Sequence, residues 1–331
     1  MRPYYSMSDH WGLTQLSTGQ PFYVDKRSRD ITAWIVMGGY WETFVDDVLC
    51  ALVRPGDTFV DAGSNMGYYT VKVGGRVGPS GRVFAFEANP QMFAFVNENI
   101  NINGMAGRDR AFNAALGAEA GHLLFCHDPS HPGGGTVLLP TEATPPGLDI
   151  QTVPTVSLDS ALPADARIDL MKIDVEGFEV PVFRGMQGLL ARSPDAAIVC
   201  EVATVLWARF GDPSQLLRDF AGGRRLYRIF TDGRLEEMDG SALGKWLDPT
   251  FVSYVLMLPD TPERLAQIAP LLARFAPTPA PARAQVEPPE PERVAAPQLQ
   301  ADMIAVVASA SPAPPTWLRV ARRVRSLLQG R

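Results

Sequence analysis

The sequence predicts an α/β fold, a largely parallel sheet with helices on both faces. Three stretches carry that reading. Thr58–Val60 is a short apolar run that ends in Asp61 and enters a turn, Gly63-Ser64-Asn65-Met66-Gly67, from which a helix starts. Arg82–Phe86 is a second such run, and it ends in Glu87. Ile168–Ile173 is a third, ending in Asp174-Val175-Glu176-Gly177 before another helix. Strand, turn and helix in repeated succession build parallel sheets, and buried parallel strands read as near-continuous apolar runs.

The first turn limits the ligand. Glycines let the backbone approach a bound molecule closely, and a helix start offers N–H groups. A dinucleotide site uses G-x-G-x-x-G so that bare backbone meets the pyrophosphate. Here the pattern is D-x-G-x-N-x-G over Asp61–Gly67. Asp61 repels a pyrophosphate and suits an ammonium. A phosphate-free cofactor with a cationic amino-acid end fits better, and S-adenosylmethionine is that molecule. Glu87, about twenty residues further on, is placed to accept hydrogen bonds from a ribose. Asp61 and Glu87 also read as plain loop carboxylates, but two acidic strand ends around one glycine turn favour the cofactor.

Composition sets the frame. The chain has 331 residues, 46% of them hydrophobic, as in a globular protein. A net charge of −6 gives no nucleic-acid signature. Cys50, Cys126 and Cys200 are too sparse for a disulfide framework or a zinc site and fit a reducing, cytoplasmic compartment. The N-terminus leads into no apolar signal-peptide core, and no run of about eighteen apolar residues predicts a spanning helix.

Along the chain, residues 1–35 read as a polar, aromatic cap, with a short strand over Ile31–Met37. Trp41–Val53 is apolar at helical spacing and is stopped by Pro55-Gly56; Glu42 opens that helix, either as a first-turn carboxylate or reaching the cofactor pocket. Asn89-Pro90 starts a helix to about Asn103. Arg110–Leu116 is a third strand, whose Asn113 either meets an adenine edge or is an ordinary polar strand-end residue. Gly121–Cys126 reads as an antiparallel strand. The following His127–Gly135, rich in Pro and Gly, reads as a mobile, substrate-facing loop carrying His127 and His131. That histidine spacing aligns metal ligands only on a helix, which these residues forbid.

Lys172 and Asp174 fall on one side of a strand. A buried lysine needs a partner, so Lys172 either pairs structurally with Asp174 or Glu201 or belongs to a functional ionic cluster, the reading preferred here. A helix follows over Phe178–Leu190. Ala196–Cys200 is a fifth strand, ending in Glu201; a hairpin follows over Arg225–Met238, then a last strand, Phe251–Leu258, at the sheet edge, and a helix over Pro262–Phe275. Residues 277–315 hold ten of the 29 prolines and read as a disordered Pro/Ala-rich linker. Residues 316–331 carry five arginines and no acid, and Trp317, Val320, Ala321, Val324, Leu327 and Leu328 form an apolar stripe at helical spacing. This short basic amphipathic helix either docks on the protein's own acidic body or rests on an anionic membrane at its inner face.

Asp61-x-Gly63-x-Asn65-x-Gly67, Glu87-Ala88-Asn89-Pro90, Ser157-Leu158-Asp159 and, above all, Lys172-Ile173-Asp174-Val175-Glu176-Gly177-x-Glu179 resemble the FkbM family of S-adenosylmethionine-dependent methyltransferases over roughly residues 35–260. The resemblance implies a class I methyltransferase sheet, Rossmann-like and seven-stranded with an antiparallel last strand, in a domain over 36–276. It implies O-methylation of a sugar, glycolipid or natural-product hydroxyl. The matching positions make Asp61, Gly63, Asn65, Gly67 and Glu87 cofactor residues and put Asp174 and Glu176 at the reacting end; Ser64, Tyr68 and Asn113 join the cofactor candidates, and Lys172 the catalytic ones. Ser64 fits the family pattern, while Ala88 departs from it. Asp174 is the first candidate for general base, with Glu176 holding substrate or sharing that role. Asp174 and Glu201 offer an alternative, a Mg²⁺-assisted reaction. Two rival readings are a non-catalytic methyltransferase-fold binding module and an NAD(P)-dependent oxidoreductase; the intact acidic positions and the missing middle glycine argue against them.

Overall fold

A computed structural model describes residues 2–28, 31–129, 131–139, 142, 147–239, 243–247 and 251–275. The expected linker and basic C-terminal helix lie outside the described residues.

The chain begins with an antiparallel three-stranded sheet, β1 (Tyr5–Ser6), β2 (Trp11–Gln15) and β3 (Pro21–Asp25). Phe22 and Val24 of β3 are fully buried among residues of α2, α3 and α4 (ranges below), so the cap is part of the main core. Helix α1 (Ile31–Gly38) follows, where the sequence suggests a strand. Its β-branched residues favour a strand locally. Only Thr32 and Ile35, three apart, are buried, and that is helical spacing.

The central layer alternates: α2 (Thr43–Leu52), β4 (Thr58–Ala62), α3 (Tyr68–Val77), β5 (Arg82–Phe86), α4 (Pro90–Ile102) and β6 (Arg110–Phe112). Asn89 caps α4 by accepting from the Gln91 N–H, with Pro90 at the first helical position, where its missing N–H costs nothing. The chain then leaves the main sheet for a smaller one: β7 (Ala115–Leu116), β8 (Gly121–Asp128), β9 (His131–Leu138) and β10 (Asp149–Val156), in the order β7-β10-β8-β9. The expected mobile loop over 127–135 is therefore corrected to a hairpin, with Asp128 opposite His131 and an irregularity in register at His127/Asp128. Its Pro and Gly residues mark that bend and do not prevent pairing.

Helix α5 (Leu158–Ala161) leads to β11 (Leu170–Ile173), α6 (Glu179–Arg184), α7 (Gln187–Arg192) and β12 (Ala197–Ala203). The single helix expected over 178–190 is two, divided at Gly185-Met186. Then come α8 (Thr204–Trp207), α9 (Pro213–Ala221), β13 (Arg225–Ile229), β14 (Leu235–Met238), α10 (Leu243–Trp246), β15 (Val252–Leu258) and α11 (Pro262–Arg274).

The main sheet has eight strands in the order β14-β13-β15-β12-β11-β4-β5-β6. β12, β11, β4, β5 and β6 are mutually parallel, and β15 is antiparallel to both β12 and β13. β15 thus lies inside the sheet, not at its edge as the sequence suggests. The edge belongs to β14, an eighth strand added to the seven expected.

Alternation along the strands divides the core. Val60, Met171 and Ile198 pack on one face with α5, α6, α7 and α9. Phe59, Leu170, Val199 and Leu256 pack on the other with α2, α3, α4 and α11. Helices therefore cover both faces. By the same period of two, Asp61 and Lys172 point to the face of Phe59 and Leu170, beside α2 and α3.

Candidate active site

Strand register assembles the site at the carboxyl ends of β4, β11 and β12 and the amino end of β15, which runs antiparallel to them. Lys172 lies directly opposite Asp61, and Glu201 directly opposite Tyr254. Two residues beyond Lys172, on the same side, comes Asp174. Glu201 does not end its strand as expected; β12 continues to Ala203.

Asp61 is fully buried, and its Oδ2 accepts from Thr70 Oγ1 at 2.6 Å. Its Oδ1 is also buried and has no hydrogen-bond partner. Burial pushes its carboxyl up from the usual range, against the pull of Lys172. The turn after it is spent on the protein itself. Gly63 N–H and Ser64 N–H both donate to Phe86 O, Asn65 N–H donates to Glu87 Oε2 at 2.8 Å, and Gly67 N–H donates to Ser64 O. It therefore offers few N–H groups to a phosphate. Gly63 has φ +79°, and a Cβ there would lie 1.8 Å from the Asp174 carbonyl oxygen. This glycine is required by close approach of two turns.

Glu87 accepts from the backbone N–H of Asn65 and of Asn89, both at 2.8 Å, one on each carboxylate oxygen. Burial still lifts its carboxyl to about 7. Asn113 donates to Glu87 O at 3.0 Å and to Ala88 O at 3.2 Å, so its amide nitrogen braces the backbone after β5. Tyr68, expected among the cofactor residues, has its hydroxyl engaged elsewhere. Its hydroxyl accepts from Lys72, which pairs with Asp46 in a buried contact between α3 and α2. Its neighbour Tyr69 is the one that reaches the site.

Lys172 is 2% exposed and donates to Asp174 Oδ2 at 2.8 Å. Burial disfavours its charge, but Asp174, Asp61 and Glu42 outweigh burial and raise its pKa. Its ammonium lies 5.0 Å from the Tyr69 ring centroid and 5.9 Å from that of Tyr254. Tyr254 Oη lies 2.7 Å from Asp174 Oδ2 and 3.0 Å from Glu42 Oε2; Tyr69 donates to the same Glu42 oxygen at 3.1 Å. Burial first, then the charge of Asp174, lifts Glu42 to about 7. Glu176 and Glu201 are pushed well up by burial and by Asp174. Asp174 Oδ1 has no hydrogen bond to the described protein, and the side chain is 21% exposed.

The β8–β9 hairpin closes over this edge through its backbone. Pro132 O accepts from Asn89 Nδ2, Gly133 O accepts from Asn65 Nδ2 at 3.0 Å, and Thr136 Oγ1 donates to Glu176 O. The ring of His127 is buried near Phe125, which removes it from the expected substrate-facing surface. Nothing is described of the His131 side chain.

Two motif residues serve the fold. Glu179 accepts from the N–H of Val175 and of Gly177 and from Trp207 Nε1, fixing the turn after β11. Asp159 accepts from the N–H of Gly188 and of Leu189, starting α7. Among the described residues, no three His, Cys, Asp or Glu side chains come together as a metal site. The Asp174–Glu201 pair of the Mg²⁺ alternative is thus joined by no third such ligand among the described residues.

The sequence reading missed Tyr69, Thr70 and Tyr254. Thr70 and Tyr69 sit in the first turn of α3, where residues after a glycine turn face the strand end. Tyr254 carries no local signal, because only its register with Glu201 brings it here.

A sheet in this order, with one antiparallel strand between two parallel ones and acidic residues at its carboxyl end, is the class I methyltransferase fold. The model of the FkbM methyltransferase domain matches residues 61–226, half of the chain, and the chain belongs to that family. Methyltransferase 1 of Beauveria bassiana is 29% identical over 163 residues, covering 44% of this chain and 65% of that protein. Methyltransferase sdnD of Sordaria araneosa is 27% identical over 179 residues, covering 44% of this chain and 67% of that protein. The chain thus matches only about two thirds of each relative's length. Among solved structures, P. horikoshii TYW2 in complex with MeSAdo is similar at 15% identity and TM-score 0.37, over 75% of this chain and 70% of that one. An SAM-dependent O-methyltransferase from Thermotoga maritima is similar at 14% identity and TM-score 0.35, over 74% and 76%. No helix among the described residues is long and apolar enough to cross a membrane.

Proposed function

We propose that this chain is an S-adenosylmethionine-dependent O-methyltransferase acting on a hydroxyl of a sugar, glycolipid or natural product. The observation that carries the reading is a strand edge crowded with acidic side chains. Asp61, Glu87, Asp174, Glu176, Glu201 and Glu42 gather there around one lysine, Lys172. A cationic ligand stabilises the ionised form of such carboxyl groups, whereas a pyrophosphate opposes it. Asp61 Oδ1, buried and without a partner, is an acceptor that suits an ammonium donor.

Asp61, Gly63, Ser64, Asn65 and Gly67 would hold the amino-acid end, and Glu87 the ribose, since each of its oxygens keeps a lone pair beyond its backbone bond. When bound, the cofactor supplies a methyl group on a sulfonium that leaves without acid help. The protein's own task is to orient the acceptor and take its proton. Asp174 does the second. Oδ2 is fixed by Lys172 and Tyr254, and Oδ1 is open to an acceptor hydroxyl. The turn of Glu176, fixed by Glu179 and Thr136, sets one wall for the acceptor.

The test is release of S-adenosylhomocysteine from S-adenosylmethionine with a panel of sugar, glycolipid and polyketide alcohols. Turnover on a hydroxyl, lost in Asp174→Asn with cofactor still bound, supports the reading. Turnover only on amines, or full turnover by Asp174→Asn, contradicts it.

A further inference from the structure

The Tyr254 hydroxyl has one proton, yet its oxygen lies within hydrogen-bonding distance of two carboxylates, Asp174 Oδ2 at 2.7 Å and Glu42 Oε2 at 3.0 Å. One O–H must otherwise be split between them; both contacts are full two-centre hydrogen bonds when a second proton is present, carried by one of the carboxyl groups. Asp174 Oδ2 already accepts from the Lys172 ammonium at 2.8 Å, a donor that makes no hydrogen bond to Glu42 among the described residues. Among the described residues, the hydrogen-bond partners of the Glu42 carboxyl are two phenols, Tyr69 and Tyr254, both meeting Oε2.

Glu42 also departs from its helix. It occupies the N-cap of α2 at φ 38°, ψ 64°, and its side chain makes no capping bond. A non-glycine residue in the left-handed region is strained and persists where its surroundings require it. Among the described residues, the other non-glycine residues with positive φ are Asn65 and Glu176, and both belong to this site. The backbone of Glu42 is thus set to aim its carboxyl inward, not to cap.

We propose that Glu42 carries the proton shared through Tyr254 and so sets whether Asp174 is available as a base. With Glu42 protonated, its O–H donates to Tyr254 Oη, and Tyr254 donates to Asp174 Oδ2. With Glu42 ionised, the Tyr254 O–H turns to Glu42, and Asp174 keeps Lys172 as its one donor and is the stronger base. No bond other than O–H forms or breaks, and the released proton goes to solvent. The groups facing Glu42 are Lys172 and Asp174 from β11 and its turn, Tyr69 from α3, Tyr254 and Glu201 from the paired strands, and Glu176. Lys172 opposes protonation, and the carboxylates favour it. Burial places the switch near neutral pH, at about 7. Glu42 is therefore a positioning residue. The proposal rests on Asp174 as the base.

The test is an infrared-monitored pH titration of the full chain as wild type, Glu42→Gln, Tyr254→Phe and Asp174→Asn. The difference between wild type and Glu42→Gln should show one carboxylic-acid band that persists to near neutral pH. Asp174→Asn, by removing a neighbouring negative charge, should move its midpoint to lower pH. Tyr254→Phe, which keeps the ring, should shift the band's frequency, and it decides the matter if Glu42→Gln does not fold. A Glu42 band gone by about pH 5, as for an ordinary glutamate, overturns the proposal. So does a band that Tyr254→Phe and Asp174→Asn leave unmoved. Normal turnover by Asp174→Asn would instead remove the base role and leave the infrared result standing.

Discussion

Arg264, at the amino ends of the strands, is 5% exposed and gives its guanidinium to Asp195 O, Asp169 O, Leu52 O and Gln267 Oε1. There Asp169 accepts from Thr58 N–H and Asp57 from Arg54 N–H. At the carboxyl ends of the same strands, carboxylates outnumber cations, Asp61 Oδ1 and Asn65 Oδ1 are buried without partners, and three non-glycine residues have positive φ. Both ends bury charge. One end spends its polar groups on holding the strands together. The other keeps polar groups unspent and backbone strained, which is what a site awaiting a cationic ligand requires.

The contrast breaks most severely at Gly63. Gly63→Ala drives a Cβ into the Asp174 carbonyl and should cost more than about 4 kcal/mol, or prevent folding. Gly104→Ala has a similar φ of +68° but open space, and should cost about 1 kcal/mol. Urea unfolding compares the two, and equal losses would show that the two turns are not tightly packed. Arg264→Ala leaves buried carbonyls unpaired and should cost about 1–3 kcal/mol of stability with no change in cofactor affinity. Asp174→Asn should slow methyl transfer about 10²-fold or more with cofactor affinity kept, and, because it removes the carboxylate partner of buried Lys172, it should also lower the urea midpoint. If Arg264→Ala weakens the cofactor as much as stability, the two ends are not separate in role.

A smaller effect sharpens the comparison. Glu42 and Glu87 stand at about 7 in the folded chain, above the ordinary glutamate value near 4.5. Between those values the folded chain holds protons that the unfolded chain has lost. Their stabilising contribution is thus full below about pH 4.5 and is lost as pH rises through about 7. Urea midpoints of the ligand-free chain should fall from about pH 5 to pH 8 and fall less in Glu42→Gln. A rise over that interval in wild type, unchanged by the substitution, would contradict the assignment.

Local chemistry was legible in the sequence; distant register was not. Asp61, Glu87, Lys172 and Asp174 could be placed because each sits where an apolar run meets a turn. Tyr254 could not, being 80 residues from Asp174 and 212 from Glu42. The sequence marks Glu42 as a helix opener that either stays a first-turn carboxylate or reaches the pocket, and choosing between these depends on a backbone conformation that sequence does not display. α1 read as a strand because Ile31, Thr32, Ile35 and Val36 are β-branched. The β8–β9 hairpin read as a loop because Pro132 and Gly133–Gly135 suggest irregular chain, whereas pairing with β8 overrides them. Lys172 pairs with Asp174, the structural alternative, and that pair lies beside Asp61 and Glu42.

Calorimetry with S-adenosylmethionine and with NAD⁺ tests the central claim, that this edge is built for a cationic, phosphate-free cofactor. S-adenosylmethionine should bind the full chain, Glu87→Ala should weaken it by about 1–3 kcal/mol, and NAD⁺ should give no heat of binding. Binding of NAD⁺ in preference to S-adenosylmethionine, or S-adenosylmethionine affinity unchanged in Glu87→Ala and Gly67→Val, would contradict it.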